Sequence, residues 1–194
     1  PSPEPVFPDA AEESLGLKRV CVWGAESVGK TTLAEQLAKE FKTRWVPEYV
    51  RCYLDQEGRD GTGYLEDIPA IARGQMATEH AVAAQTEDLL ICDTNLLATC
   101  AWSDVLFGTT PDAVREMANH RAKNYGLYLF LDTDVPWVRD RQRCHADANK
   151  REEFSEMCLN ELIRQDVEFV RISGDWNERW NRAFEAVKNF LRDE

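Results

Sequence analysis

Within residues 24–32, "GAESVGKTT", the chain gathers two glycines, a lysine and two adjacent threonine hydroxyls, and residues of these types at this spacing suit the holding of phosphate. Gly24 and Gly29 let the intervening Glu26, Ser27 and Val28 fold their backbone N–H groups inward around an anion. The helix that opens next presents its positive N-terminal end to the same place. Lys30 reaches the β- and γ-phosphates, the Thr31 hydroxyl suits Mg²⁺, and Thr32 completes the cradle. An ordinary glycine-rich turn between a strand and a helix is the alternative. The four fixed positions, with an apolar strand before and a helical pattern after, favour the cradle, so a nucleoside triphosphate is the expected ligand.

Two acids are placed to work beside it. Asp93 ends the apolar run "LLIC", and a carboxylate at the C-terminal tip of a parallel strand faces the crevice where such sheets bind ligands. It suits Mg²⁺, although "DTN" is also a good helix-capping string. Glu48, in "WVPEYVRCY" just beyond the second apolar run, can take the proton of an acceptor hydroxyl. Pro47 stiffens the chain before it, and pairing with Arg51 is its competing role. Asp93 remains the second candidate for the base. Trp45, Tyr49, Tyr53 and Tyr64 offer flat faces to a heterocycle, above all a cationic one, or else pack in the core. Further along, "DTDVPWVRDRQRCH" carries Arg139, Arg141 and Arg143 against the single acid Asp140 of its basic half. A basic segment closing over the transferring phosphate would neutralise its charge; a solvated helix face is the alternative, and the sequence does not rank the arginines. His80, His120 and His145 have no metal-ligand spacing and are expected at the surface or in helix packing.

These residues need a scaffold that collects strand ends on one edge. Apolar runs at 19–23, 44–46, 89–93, 128–132 and 168–172 read as strands buried on both faces. Between them lie helical patterns: Leu33, Leu37 and Phe41 at four-residue spacing, a stretch around Ile68 to Thr86, a segment opening near Pro111, "REEFSEMCLNELIRQ", and "NERWNRAFEAVKNFLRD". The alternation predicts an α/β fold, a doubly wound parallel sheet of about five strands with helices on both faces. The Pro-rich, acidic residues 1–17 read as a linker or disordered arm, and 18–194 as one domain.

The net charge of −12 over 194 residues argues against binding nucleic acid non-specifically, and no run of about 18 apolar residues offers a membrane span. The six cysteines, at 21, 52, 92, 100, 144 and 158, show no CxxC pairing and are expected to be reduced, which suits the cytoplasm.

Taken together, several strings resemble one family, the ribosylnicotinamide kinase domain of NadR-type proteins within the P-loop kinases. They are "GAESVGKTTL", "PEYVRCYL", "ARGQ" at 72–75, "ICDTN", "VPWVRDRQR" and "KREEF", and the resemblance runs from about Arg19 to Glu194. It implies a P-loop NTPase fold and ATP-dependent phosphorylation of the 5′-hydroxyl of nicotinamide riboside, giving nicotinamide mononucleotide for NAD synthesis. It carries Lys30 and Thr31 to ATP and Mg²⁺, Glu48 and Asp93 to an acidic pair, and Arg51, Asp140 and Arg143 to the substrate or the lid. Trp45, Tyr49, Asn95 and Trp137 join the substrate candidates, and Arg139 those for ATP. Asn95 stands where a second acid is expected, and Arg141 where glycine is usual. In larger members of that family an adenylyltransferase domain comes first, which would make the Pro-rich arm a linker remnant. The rival readings are another small-molecule kinase of the same fold, such as a deoxynucleoside kinase, and a P-loop ATPase that switches a partner.

Overall fold

Parallel strands cannot be joined by tight hairpins, so each strand here is followed by a crossover that carries a helix back over the sheet. The computed structural model describes residues 16–59, 63–138 and 147–192. Its strands are β1 (Lys18–Gly24), β2 (Arg44–Val46), β3 (Leu89–Asp93), β4 (Leu127–Leu131) and β5 (Phe169–Ile172). They form one parallel sheet in the order β2-β3-β1-β4-β5. Each falls on one of the five apolar runs. β3 and β4 are buried at every residue, which is why they read as unbroken hydrophobic strings rather than alternating ones.

The helices are α1 (Lys30–Glu40), α2 (Tyr49–Gln56), α3 (Ile68–Ala83), α4 (Leu96–Phe107), α5 (Asp112–Arg121), α6 (Ala148–Gln165) and α7 (Trp176–Arg192). α2 and α4 were not among the expected helices. α2 is only 8 residues long. α4, "LLATCAWSDVLF", buries Leu96, Leu97, Ala98, Cys100, Ala101 and Ser103 around much of its circumference, so it carries no polar stripe from which a helical period could be read. Leu17, inside the expected arm, packs in the core. Residues 1–15 lie outside the described residues. Among the described residues no helix is long and apolar enough to cross a membrane, and the five described cysteines are free thiols.

Because every strand runs the same way, Gly24, Val46, Asp93, Leu131 and Ile172 all finish on one edge of the sheet. Toward the other end, where β1 begins, lies a buried polar cluster. Glu79 of α3 pairs with Arg19 at 3.5 Å and with Arg121 at 3.3 Å, and accepts the Tyr125 hydroxyl at 2.6 Å. All four residues are almost wholly buried. Removing this carboxylate would take a charged partner from two buried guanidinium groups, Arg19 and Arg121. Glu79→Leu is therefore expected to cost about 3–5 kcal/mol in urea denaturation, while breaking the exposed Lys188–Glu185 pair costs under about 1 kcal/mol. Equal effects at the two sites would contradict this reading of the cluster.

Candidate active site

The cradle is built where β1 stops and α1 begins. Ser27 (φ 59°) and Gly29 (φ 89°) take left-handed conformations that turn the chain between them. Gly29 is required twice over, since a Cβ there would also lie 2.7 Å from the Trp176 ring. Lys30 Nζ donates to Ala25 O across the loop at 2.6 Å. Thr31, one residue into α1, donates its hydroxyl to Asp93 Oδ2 at 2.5 Å.

Asp93 is 1% exposed, and its Oδ1 is buried without a hydrogen-bond partner. Burial first, and the Glu48 carboxylate second, push its acid up to about 6 from the ordinary 3.8, against the pull of Lys30 and the Thr31 hydrogen bond. A buried carboxylate oxygen left without a donor, next to a hydroxyl, is a donor set that a hard cation such as Mg²⁺ fits. Among the described residues no three His, Cys, Asp or Glu side chains converge as a metal cage. A cation here would complete its shell with phosphate and water, the usual habit of Mg²⁺.

Glu48 stands at the N-terminus of α2 in an extended conformation (φ −67°, ψ 108°), with Oε2 3.4 Å from Arg51 Nε. The turn that presents it is braced from α3. Buried Gln75 accepts Tyr49 N–H at 2.7 Å and donates to Pro47 O at 3.4 Å. The Tyr49 ring lies so close to α3 that a Cβ at Gly74 would be 1.9 Å from it.

Two cavities flank the cradle. The first offers about 170 Å³ to the centres of water-sized molecules. Lys30, Thr31, Glu48 and Arg51 line its polar end, and Ile71, Trp102, Leu106 and Phe107 are among its apolar walls. Thr94, next to Asp93, also lines it and is held at φ 66°, strain of a kind that collects at functional sites. The second, of about 450 Å³ by the same measure, is lined by Gln36, Trp176 and Trp180 among others. Gly29 and Thr32 belong to both walls.

The structure thus brings Glu26, Ser27, Gly29, Lys30, Thr31, Thr32, Glu48 and Arg51 to the first cavity, with Asp93 bonded to Thr31 behind it. Val28 is buried in the core. Trp137 donates to Glu26 Oε1 at 3.3 Å, beside the cradle. Of the other residues expected at the substrate, Trp45, Tyr49 and Asn95 do not line the first cavity. Trp45 packs against the core. Asn95 is spent on the fold: it accepts Leu97 N–H as the cap of α4 and donates to the Tyr128 hydroxyl at 2.9 Å. Tyr53 bonds Asp67 at 2.7 Å, and the exposed Tyr64 lies under Arg59. Arg139, Asp140, Arg141 and Arg143 lie outside the described residues. The aromatic walls that sequence reasoning missed are Trp102 and Phe107, on the unexpected α4.

A family described as "AAA domain" matches residues 19–179. The chain belongs to this AAA-domain family. It is 26% identical over 181 residues to the trifunctional NAD biosynthesis/regulator protein NadR of Escherichia coli (strain K12), covering 92% of this chain and 44% of that protein. Against NadR of Salmonella typhimurium (strain LT2) the identity is 25% over the same share of each. This AAA-domain chain therefore spans less than half the length of the curated relatives it matches. Among solved structures it is similar to NadR in complex with NR (TM-score 0.73, 20% identity, 92% of this chain and 53% of the other). It is also similar to deoxyadenosine kinase of M. mycoides with bound dATP (TM-score 0.56, 15% identity, 91% and 100%). The fold is the P-loop NTPase fold, a parallel five-stranded α/β sheet.

A carboxylate raised in the folded state holds its proton more tightly there than when unfolded, so its ionisation weakens the fold as pH climbs from about 4 through about 6. Asp93→Asn removes that penalty. Without divalent cations its melting temperature is expected to exceed that of the natural chain by a few degrees at about pH 8, with the gain vanishing near pH 4. A difference independent of pH would contradict the assignment.

Proposed function

We propose that this chain transfers the γ-phosphate of ATP to the 5′-hydroxyl of nicotinamide riboside, giving nicotinamide mononucleotide and ADP. The observation that carries the reading is the position of the cradle as a wall common to two cavities. A nucleotide switch needs one cavity; a transfer needs a donor and an acceptor that meet at the phosphate.

The donor's base belongs in the second cavity, against Trp176, whose ring already lies on Gly29. Its phosphates run over Gly29 to Thr32, with Lys30 leaving Ala25 O to neutralise the transferring group. Asp93 and Thr31 would hold Mg²⁺, whose contribution is to offset phosphate charge. The acceptor lies in the first cavity. Glu48 takes the proton of the attacking hydroxyl as the oxygen bonds to phosphorus and the bond to ADP breaks. Arg51 pairs with Glu48 and holds its carboxylate in place. Trp102 and Phe107 offer aromatic faces to the pyridinium ring, a cation that such faces attract. Arg139 and Arg143 are the candidates for charge over the phosphates, and Asp140 for the substrate side.

The relatives support this reading: a NadR structure is described as a complex with NR, and another as a complex with NAD and AMP-PNP. Drawing on ATP, the reaction belongs in the cytoplasm. An adenylyltransferase acting on the product, fused or separate, is the implied partner.

A panel of acceptors tests the proposal. With Mg-ATP in excess, kcat/KM for nicotinamide riboside is expected to exceed that for deoxyadenosine, deoxycytidine and thymidine by about tenfold or more. A deoxynucleoside that does better would make this a nucleoside kinase of another specificity. ATP hydrolysis with no acceptor phosphorylated would favour the switch instead.

A further inference from the structure

Two arginines to which the motifs give no role, Arg151 within "KREEF" and Arg179, sit against the cradle. Arg151 of α6 is 7% exposed and Arg179 of α7 2%. Arg151 donates from Nε to Glu26 O at 3.2 Å and from Nη2 to Ser27 O at 3.2 Å. Arg179 donates from Nη1 to Val28 O at 3.1 Å. Three consecutive carbonyls of the loop are thus taken by two buried guanidinium groups.

A peptide unit is planar and trans, so its N–H points opposite to its C=O. Holding the carbonyls of Glu26, Ser27 and Val28 therefore aims the N–H groups of Ser27, Val28 and Gly29 the other way. Those are amides of the kind that must converge on phosphate. A loop rich in left-handed conformations has no regular hydrogen-bond ladder to hold these peptide planes, and the guanidinium fork, rigid and planar, supplies one from outside.

Each arginine also reaches a second element. Arg151 donates from Nη1 to Val135 O at 2.9 Å. Arg179 donates to Asp132 O at 2.8 Å and Gly174 O at 2.9 Å, and pairs with Asp134. The cradle is tied in this way to the chain leaving β4 and to the start of α7.

We propose that Arg151 and Arg179 are positioning residues that act through the cradle backbone, setting the amides that bind the donor's phosphates. The proposal rests on the loop being a phosphate site and not on which acceptor is used.

Calorimetry on the full chain tests it, with Mg-ATP and, separately, inorganic tripolyphosphate as probes. Arg151→Met is expected to weaken both by about tenfold or more, while KM for the acceptor stays within about threefold. Arg151→Lys keeps the charge but not the fork, so it should recover only part of the loss. Should Arg151→Met fail to fold, Arg151→Lys and Arg179→Lys carry the test, each expected to lose affinity for both probes. A folded Arg151→Met that binds both probes within about twofold of the natural chain would overturn the proposal. Full recovery in Arg151→Lys would overturn it as well, since charge alone would then suffice. A natural chain that binds ATP but does not phosphorylate nicotinamide riboside would leave this proposal standing and overturn only the choice of acceptor.

Discussion

The site depends on one parallel pairing. β1 and β3 lie side by side with Val22 opposite Asp93, so the loop that leaves β1 and the acid that ends β3 emerge together. The 2.5 Å hydrogen bond from Thr31 to Asp93 is the product of that register. A shift by one residue would turn Asp93 to the other face of the sheet, and the loop would lose its acid. The order β2-β3-β1-β4-β5 then adds Glu48 from beyond β2 on one side, and the residues after β4 and β5 on the other.

Charge is concentrated there against the balance of the whole chain. A protein of net charge −12 must gather local cations to hold a triphosphate. Lys30 stands at the surface of the cradle, and Arg151 and Arg179 are buried against it. Glu48 adds to the burial that raises Asp93. Such an arrangement costs stability with no cation bound, and cluster chemistry of this kind marks functional sites more often than structural ones.

The positions of the cradle, Asp93 and Glu48 are legible in the sequence because each is fixed locally, by a short spacing or by the end of an apolar run. The same holds for the five strands. A side chain's direction is not legible where a distant partner decides it. Asn95 follows Asp93 by two residues, yet its amide goes to Leu97 and Tyr128. Tyr49 adjoins Glu48, yet its ring turns to the notch at Gly74. Trp102 and Phe107 went unnoticed because α4 is apolar almost all round and yields no period. Arg151 sits in "KREEF" with no role read from it, and Arg179 looks like a surface charge in a string of letters. Only the fold reveals that their donors are spent on loop carbonyls.

On the proposed reading Glu48 receives the acceptor's proton while the other groups hold the donor. Single-turnover transfer and calorimetric binding of Mg-ATP, measured on Glu48→Gln, test it most directly, since the amide keeps the shape and removes the basicity. The account predicts a fall in the transfer rate of about 10²–10⁴-fold with the dissociation constant of Mg-ATP nearly unchanged. A transfer rate within about threefold of the natural chain would contradict it and leave Asp93 as the base.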